Sequence, residues 1–196
     1  MRANLARVRQ EIGPHVKIVV ATKYVSVDDM AALAEAGVEI VGENRLQDLV
    51  AKHRRYAEIF GWHFIGHLQS RKARDVSRIV ELVHSLASGS AARRLSVPAL
   101  VEVNLSSEET KTGIAPEELD SFLAEVRGFG VEVRGLATMP PLTDDPERSR
   151  PHFRRLRELA EERGLAELSM GTSQDYRVAA EEGATFVRIG SLLFGR

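Results

Sequence analysis

The sequence predicts one α/β domain over residues 1–196, a parallel (β/α)8 barrel of the TIM type preceded by an extra N-terminal helix. Three observations predict it. Apolar strand patterns alternate with helical patterns from one end of the chain to the other, the order of a parallel α/β sheet. The strand patterns are continuously apolar, as required when helices cover one face and a core fills the other. Eight such units follow one another, the number that closes a barrel. An open doubly wound sheet is the runner-up, but no GxGxxG follows the first strand.

The opening segment, MRANLARVRQEIG, sets Leu5, Val8 and Ile12 on one helical face. Strands are expected at 16–22, 38–42, 63–65, 82–86, 99–103, 131–138, 168–170 and 185–189. Helices are expected at 27–36, 45–60, 71–79, 90–95, 116–127, 146–163 and 175–182. Ser26 before Val-Asp-Asp and Pro116 before Glu-Glu are helix starts. Gly37, Gly130, Gly164 and Gly183 stand where helices end on a glycine. Loops must be tight, because the chain is short for a barrel.

Composition narrows the function. Apolar residues make up 43%, and 27 basic residues face 28 acidic ones, so no overall field argues for nucleic acid or a membrane surface. There is no cysteine, which removes disulfides, thiolate catalysis and cysteine-ligated metals. No apolar run approaches the roughly 20 residues that span a bilayer, so a soluble, cytoplasmic protein is expected. Only Lys17, Lys23, Lys52, Lys72 and Lys111 are lysines among the 27 basic residues. Coding bias explains that by itself, yet each remaining lysine invites a reason.

The stretch from Glu167 to Gly195, ELSMGTSQDYRVAAEEGATFVRIGSLLFG, is the most informative. It reads as a buried strand, a Gly-Thr-Ser turn, a short helix opening at Asp175, and a second buried strand running into Gly190-Ser191. Two strand ends finishing in Gly and Ser present free N–H groups and hydroxyls beside a helix start, which suits a phosphate. A single such turn reads equally as turn and cap residues; two in succession, with Arg188 on the strand between them, favour a phosphate site. Strand parity groups Arg188 with Phe186 and Gly190, facing the barrel interior, and Ser173 with Gly171 and Ser169. A buried Arg needs an acceptor, from a carboxylate or a ligand.

Lys23 ends the first strand, at the barrel rim where active sites form. Its stem leaving an apolar barrel top would depress the amine pKa and make it a Schiff-base nucleophile; a snorkelling lysine is the alternative. Tyr24 should face the opposite way. Asn44, at the end of the second strand, reads equally as a ligand contact or a cap for the next helix. His63 and His67 share a strand face, but no carboxylate completes a metal site, so no metal is expected. Arg71, Lys72 and Arg74 read as a solvated helix face. Lys23, Ser173, Arg188 and Gly190 together suit a small molecule with an aldehyde at one end and a phosphate at the other, which is pyridoxal 5′-phosphate (PLP).

Several stretches carry a resemblance. They are V-A-T-K at Lys23, G-E-N-R-L-Q at Gly42–Gln47, W-H-F-I-G-H-L-Q-S-R-K at Trp62–Lys72, V-N-L-S-S-E-E-T-K-T-G at Val103–Gly113 and R-G-L-A-T-M-P at Arg134–Pro140. They resemble the pyridoxal phosphate homeostasis proteins, single barrels similar to the N-terminal domain of bacterial alanine racemase. The resemblance implies PLP as cofactor, held by Lys23 as a Schiff base, with Ser173, Gly190 and Ser191 on its phosphate. It sets Arg188 beside the pyridine nitrogen and keeps that nitrogen unprotonated. It further implies intracellular PLP buffering or delivery without a catalytic residue, apo PLP-dependent enzymes as recipients, and a monomer. A PLP-dependent amino-acid racemase and a PLP-free Schiff-base aldolase are the alternative functions. The family usually has Ser before the lysine and Thr-Lys after it, where this chain has Thr22 and Tyr24-Val25; it often has Met at the position of Thr172.

Overall fold

A computed structural model describes residues 1–106 and 112–194. Residues 107–111, which include Lys111 and the middle of the motif at 103–113, lie outside the described residues, as do Gly195 and Arg196.

Eight parallel strands close on themselves in sequence order, with β1 paired to both β2 and β8. The strands are β1 (Lys17–Ala21), β2 (Ile40–Glu43), β3 (Gly61–Phe64), β4 (Leu82–Leu86), β5 (Ala99–Glu102), β6 (Val133–Ala137), β7 (Glu167–Thr172) and β8 (Phe186–Ile189). All eight fall on the predicted apolar runs, because a strand buried on both faces announces itself by composition alone. The helices are α1 (Arg2–Ile12), α2 (Met30–Ala36), α3 (Leu46–Tyr56), α4 (Ala73–Ser77), α5 (Gly89–Ala92), α6 (Leu119–Gly128), α7 (Arg150–Glu161), α8 (Tyr176–Glu181) and α9 (Ser191–Phe194). The α4, α6 and α7 helices open through 3-10 turns at Ser70–Lys72, Pro116–Glu118 and Pro146–Ser149. Sequence periodicity does not distinguish those turns from the helices they lead into. No described helix is long and apolar enough to cross a membrane.

The core has two parts. The larger lies between strands and helices and is built on large side chains such as Trp62, Phe64, Phe153 and Leu156, each at most 2% exposed. Burying each such side chain stabilises the fold by roughly 1.5–3 kcal/mol. The smaller lies inside the barrel, where Val19, Leu82, Leu100, Ala137 and Phe186 meet. Gly42 is required there: a Cβ on it would lie 2.8 Å from Val19 Cγ1 and 2.9 Å from Ile65 Cδ1.

The extra helix α1 buries Leu5, Val8 and Ile12, as its pattern predicts. Its polar side ties down the elements that carry the site. Asn4 Nδ2 donates to the Leu192 carbonyl at 3.0 Å, and the Tyr176 hydroxyl donates to Glu11. Arg177 also reaches Glu11, at 2.6 Å. Helices α8 and α9, on either side of β8, are thereby fixed to one scaffold.

Near its end β7 departs from simple alternation. Gly171 has φ +89°, and a Cβ there would sit 2.5 Å from Ala179 Cβ on α8. The β7–β8 register shifts between Ser169 and Thr172, so that Thr172 pairs with Arg188. Gly171 therefore faces α8, and the expected grouping of Ser169, Gly171 and Ser173 on one face does not hold. Alternation fails because a residue in the left-handed region turns the chain.

Candidate functional site

The carboxyl ends of the strands surround a cavity of about 760 Å³. Lys23, Asn44, Ser173, Arg188, Gly190 and Ser191, singled out in the sequence, all line it. Ala21, Ile65 and Met139 supply apolar wall, and Tyr24 and Leu142 stand at the rim, 77% and 86% exposed.

Arg188 forms the floor. It is 8% exposed, and its acceptors are neutral, not the carboxylate the sequence left open. Nη2 donates to the Thr138 carbonyl at 2.8 Å, and Nη1 donates to Ser169 Oγ at 3.2 Å. Nε is buried and has no partner. Burial pushes the pKa of the guanidinium down from its ordinary value, and the charges of Glu102 and Asp175 oppose that shift. The group still carries its charge, because an Arg does not deprotonate in a protein.

Beneath Arg188 the polar chain continues into the barrel, a feature with no local sequence signal. Ser169 Oγ is 2.7 Å from His84 Nδ1, and His84 Nε2 is 2.8 Å from His63 Nδ1. Since Arg188 can only donate, the hydroxyl proton of Ser169 is free to point at His84. His84 then carries its proton on Nε2 and donates it to His63, a tautomer assigned from the network. Phe186 packs edge-on against both rings, at 5.7 and 5.1 Å between centroids. Burial holds both imidazoles neutral. It brings His63 down to about 4, with Lys17 and Arg134 adding to the shift. It takes His84 well below its ordinary range, helped by His63 and Arg188.

At the phosphate-like end, Ser173 Oγ accepts the N–H of Gly190 at 3.1 Å and that of Leu192 at 3.5 Å. Asp175 Oδ1 fixes the preceding turn by accepting from Thr172 N at 2.7 Å and Thr172 Oγ1 at 3.0 Å. Ser191 opens α9, a four-residue helix that was not expected. It is too short for a substantial macrodipole, so the backbone N–H groups and hydroxyls carry this end of the site. A Cβ on Gly190 would lie 3.6 Å from Ala21 Cβ, an ordinary contact. The fold does not demand glycine there, and its bare backbone leaves the cavity floor open.

At the rim one alternative is favoured and one expectation is corrected. Lys23 is exposed, which is the snorkelling placement of its head and not a buried one. Tyr24 does not point away from it, since Lys23 Nζ lies 4.8 Å from the Tyr24 ring centroid. The cause is local: β1 ends at Ala21, and Val25 N donates to Thr22 O at 2.8 Å, closing a turn with Lys23 and Tyr24 at its centre. Strand parity does not extend into a turn.

The remaining candidates separate. Arg45, not Asn44, is the N-cap of α3, and no side chain caps that helix. The Oδ1 of Asn44 is buried without a partner beside the cavity. His63 is inside the barrel and His67 exposed, and among the described residues no His, Cys, Asp and Glu cluster could hold a metal. Arg71 and Arg74 are exposed, as a solvated helix face requires.

Comparison with known proteins agrees with this geometry. The family model for the alanine racemase N-terminal domain matches residues 1–196. The pyridoxal phosphate homeostasis protein of Aquifex aeolicus is 40% identical over 196 residues, covering 91% of this chain and 86% of the relative. The structure of PipY from Synechococcus elongatus with PLP bound superposes with a TM-score of 0.89 at 30% identity, over 99% of both chains. The alanine racemase of Clostridium difficile shares the fold, with a TM-score of 0.78 at 16% identity; all of this chain matches 56% of that one.

The neutral histidines make acid stability a readout of the floor. Below the ordinary pKa of 6.5 the unfolded chain takes up protons that folded His63 refuses until about pH 4. Stability is therefore expected to fall as pH drops through that window, and His63→Gln should flatten the fall. Urea unfolding at stepped pH measures it, and identical slopes for the two proteins would contradict the assignment.

Proposed function

The chain belongs to the alanine racemase N-terminal domain family, among its pyridoxal phosphate homeostasis proteins, and from that premise we propose that it binds PLP and buffers or delivers it without turning over a substrate. The observation that carries the reading is the buried Arg188 Nε, a donor with no partner at the floor of the cavity. A buried donor left unpaired costs about 1–3 kcal/mol, which a ligand acceptor would recover. The open backbone at Gly190 fits the same group, since a phosphate needs close approach to N–H donors.

When bound, PLP supplies an aldehyde for a lysine amine and a ring nitrogen that accepts a hydrogen bond. Among the described residues Lys23 is the lysine that lines the cavity, and it offers the amine. Arg188 Nε would donate to the ring nitrogen and, being itself protonated, would leave that nitrogen unprotonated. Ser173, Ser191 and the N–H groups of Gly190 and Leu192 would hold the phosphate, the two amides now accepted by the Ser173 hydroxyl among them. Asn44 offers its unpaired Oδ1, or its amide, to the ring's edge.

The same features argue against turnover. A ring nitrogen that stays unprotonated is a poor electron sink. The amine and the Tyr24 ring are both exposed, so water reaches the reacting end, and a wet site is poor at stabilising a carbanion. The functional consequence is a cofactor held firmly at its ring and phosphate and kept accessible at its aldehyde, which suits a protein that gives the cofactor up to apo PLP-dependent enzymes.

Replacing Gly190 by Asp sets a carboxylate in the phosphate cradle. Affinity for PLP is expected to fall at least tenfold, about 1.4 kcal/mol, while affinity for unphosphorylated pyridoxal changes much less. Equal losses for both ligands in a fluorescence titration would reduce the turn to a structural role.

The carrier role is tested by paired measurements on the loaded protein. Exchange of amino-acid α-hydrogens with solvent deuterium should run near the rate for free PLP, and mixing with an apo PLP enzyme should restore that enzyme's activity. Fast α-deuterium exchange at catalytic amounts of this protein would make it a racemase-like enzyme instead.

A further inference from the structure

Behind the rim, on the outer face of the barrel, lies a buried ion pair that does not line the cavity. Glu43, the last residue of β2, is fully buried, and Lys52 on α3 is 4% exposed. The Lys52 ammonium donates to Glu43 Oε1 and, at 2.7 Å, to the Thr22 carbonyl. The Thr22 hydroxyl donates to the same Glu43 oxygen at 2.5 Å. Thr22 N also donates to the Gly42 carbonyl at 3.1 Å. One cluster of three side chains thus clamps the backbone just before Lys23 and just before Asn44.

Stability does not explain the pair. Taking two charges out of water is so costly that well-packed apolar residues in their place are often neutral or stabilising. Here the cost is only partly met, since Glu43 Oε2 is buried with no partner. What an apolar plug cannot do is hold a carbonyl in direction. The Thr22 carbonyl has two lone pairs; one takes the Val25 N–H that closes the Lys23–Tyr24 turn, and the other takes the Lys52 ammonium. The exposed turn is thereby anchored at its buried end.

We propose that Glu43 and Lys52 are positioning residues for Lys23: they fix the turn from Thr22 to Val25 so that the Lys23 amine is presented into the cavity. The inference rests on reading Lys23 as the amine that attaches the cofactor. In that attachment the neutral amine bonds to the aldehyde carbon, and the carbonyl oxygen leaves as water carrying both amine hydrogens. The reaction needs the nitrogen held near the carbon, and misplacement by about 1 Å can cost on the order of a hundredfold in rate.

The test compares the wild-type protein with Glu43→Met/Lys52→Met, which keeps the volume and removes the charges. PLP is added over a range of concentrations, attachment is trapped with borohydride, and the labelled peptide is identified by mass mapping. Wild type is expected to be labelled at Lys23. The double variant should unfold at the same urea concentration or higher, yet show a saturating attachment rate at least roughly tenfold lower. Its half-saturating PLP concentration should change little, because the phosphate cradle is untouched. Lys52→Arg, which keeps the charge and the donor to Thr22, should recover part of the rate. Thr22→Val deletes the hydroxyl, which ties to Glu43 and lies 3.3 Å from the Gly42 carbonyl, and is a milder probe should the double variant not fold; it is expected to slow attachment by roughly threefold or more. A label elsewhere in wild type would overturn the reading of Lys23, whereas labelling at Lys23 with wild-type rates in the double variant or in Thr22→Val would overturn the positioning role alone.

Discussion

A guanidinium at the centre of a closed barrel must have its donors met, and meeting them organises the upper interior of this protein. Arg188 stands on β8 with its Nη groups committed to Thr138 on the β6 side and Ser169 on β7. Ser169 in turn engages His84 on β4, and His84 engages His63 on β3. Strands far apart around the barrel are joined through one polar chain, in a medium where each such bond is stronger than in water and an unmade one is costly. With both Nη groups held, the Nε that remains has a fixed direction. The apolar side chains inside the barrel, among them Val19, Leu82 and Phe186, pack around this chain, with Phe186 edge-on to both imidazoles.

The rim above this floor is built on different physics. Its candidate groups sit past the strands: Lys23 in the turn after β1, Ser173 after β7, Gly190 after β8 and Ser191 at the start of α9. Turns have no ladder to hold them, so each is tied down separately. The Lys23 turn is held by the Glu43–Lys52 pair, the Ser173 turn by Asp175, and the chain after Gly190 by α1 through Asn4. A rigid floor and a tethered, water-accessible rim give a site suited to holding a ring and phosphate while leaving an aldehyde reachable. That division matches retention and release of a cofactor better than it matches sheltered carbanion chemistry.

Most of the fold was legible because buried parallel strands are written as apolar runs, and every strand–helix unit repeats the signal. The residues that line the cavity were legible because barrels expose the residues at the carboxyl ends of strands, which picks out Lys23, Asn44, Ser173 and Gly190 by position. Parity held for Arg188, which it aimed inward, and failed near the carboxyl ends of β7 and β1. The left-handed Gly171 and the turn at Lys23–Tyr24 each reset which way side chains point. The histidine chain was illegible for another reason: His84 and Ser169 are 85 positions apart, and no local pattern records their contact. Lys52 stands out in the sequence as one of few lysines, but its helix pattern gives no sign that its head turns inward to Glu43.

Arg188, fixed from below, is proposed to meet the pyridine nitrogen as a donor and so to keep it unprotonated. Nitrogen-15 NMR of the protein loaded with PLP labelled at the ring nitrogen addresses this directly. The expected result is the resonance of an unprotonated, hydrogen-bonded pyridine nitrogen near neutral pH. A pyridinium resonance coupled to its own directly bonded proton would contradict it.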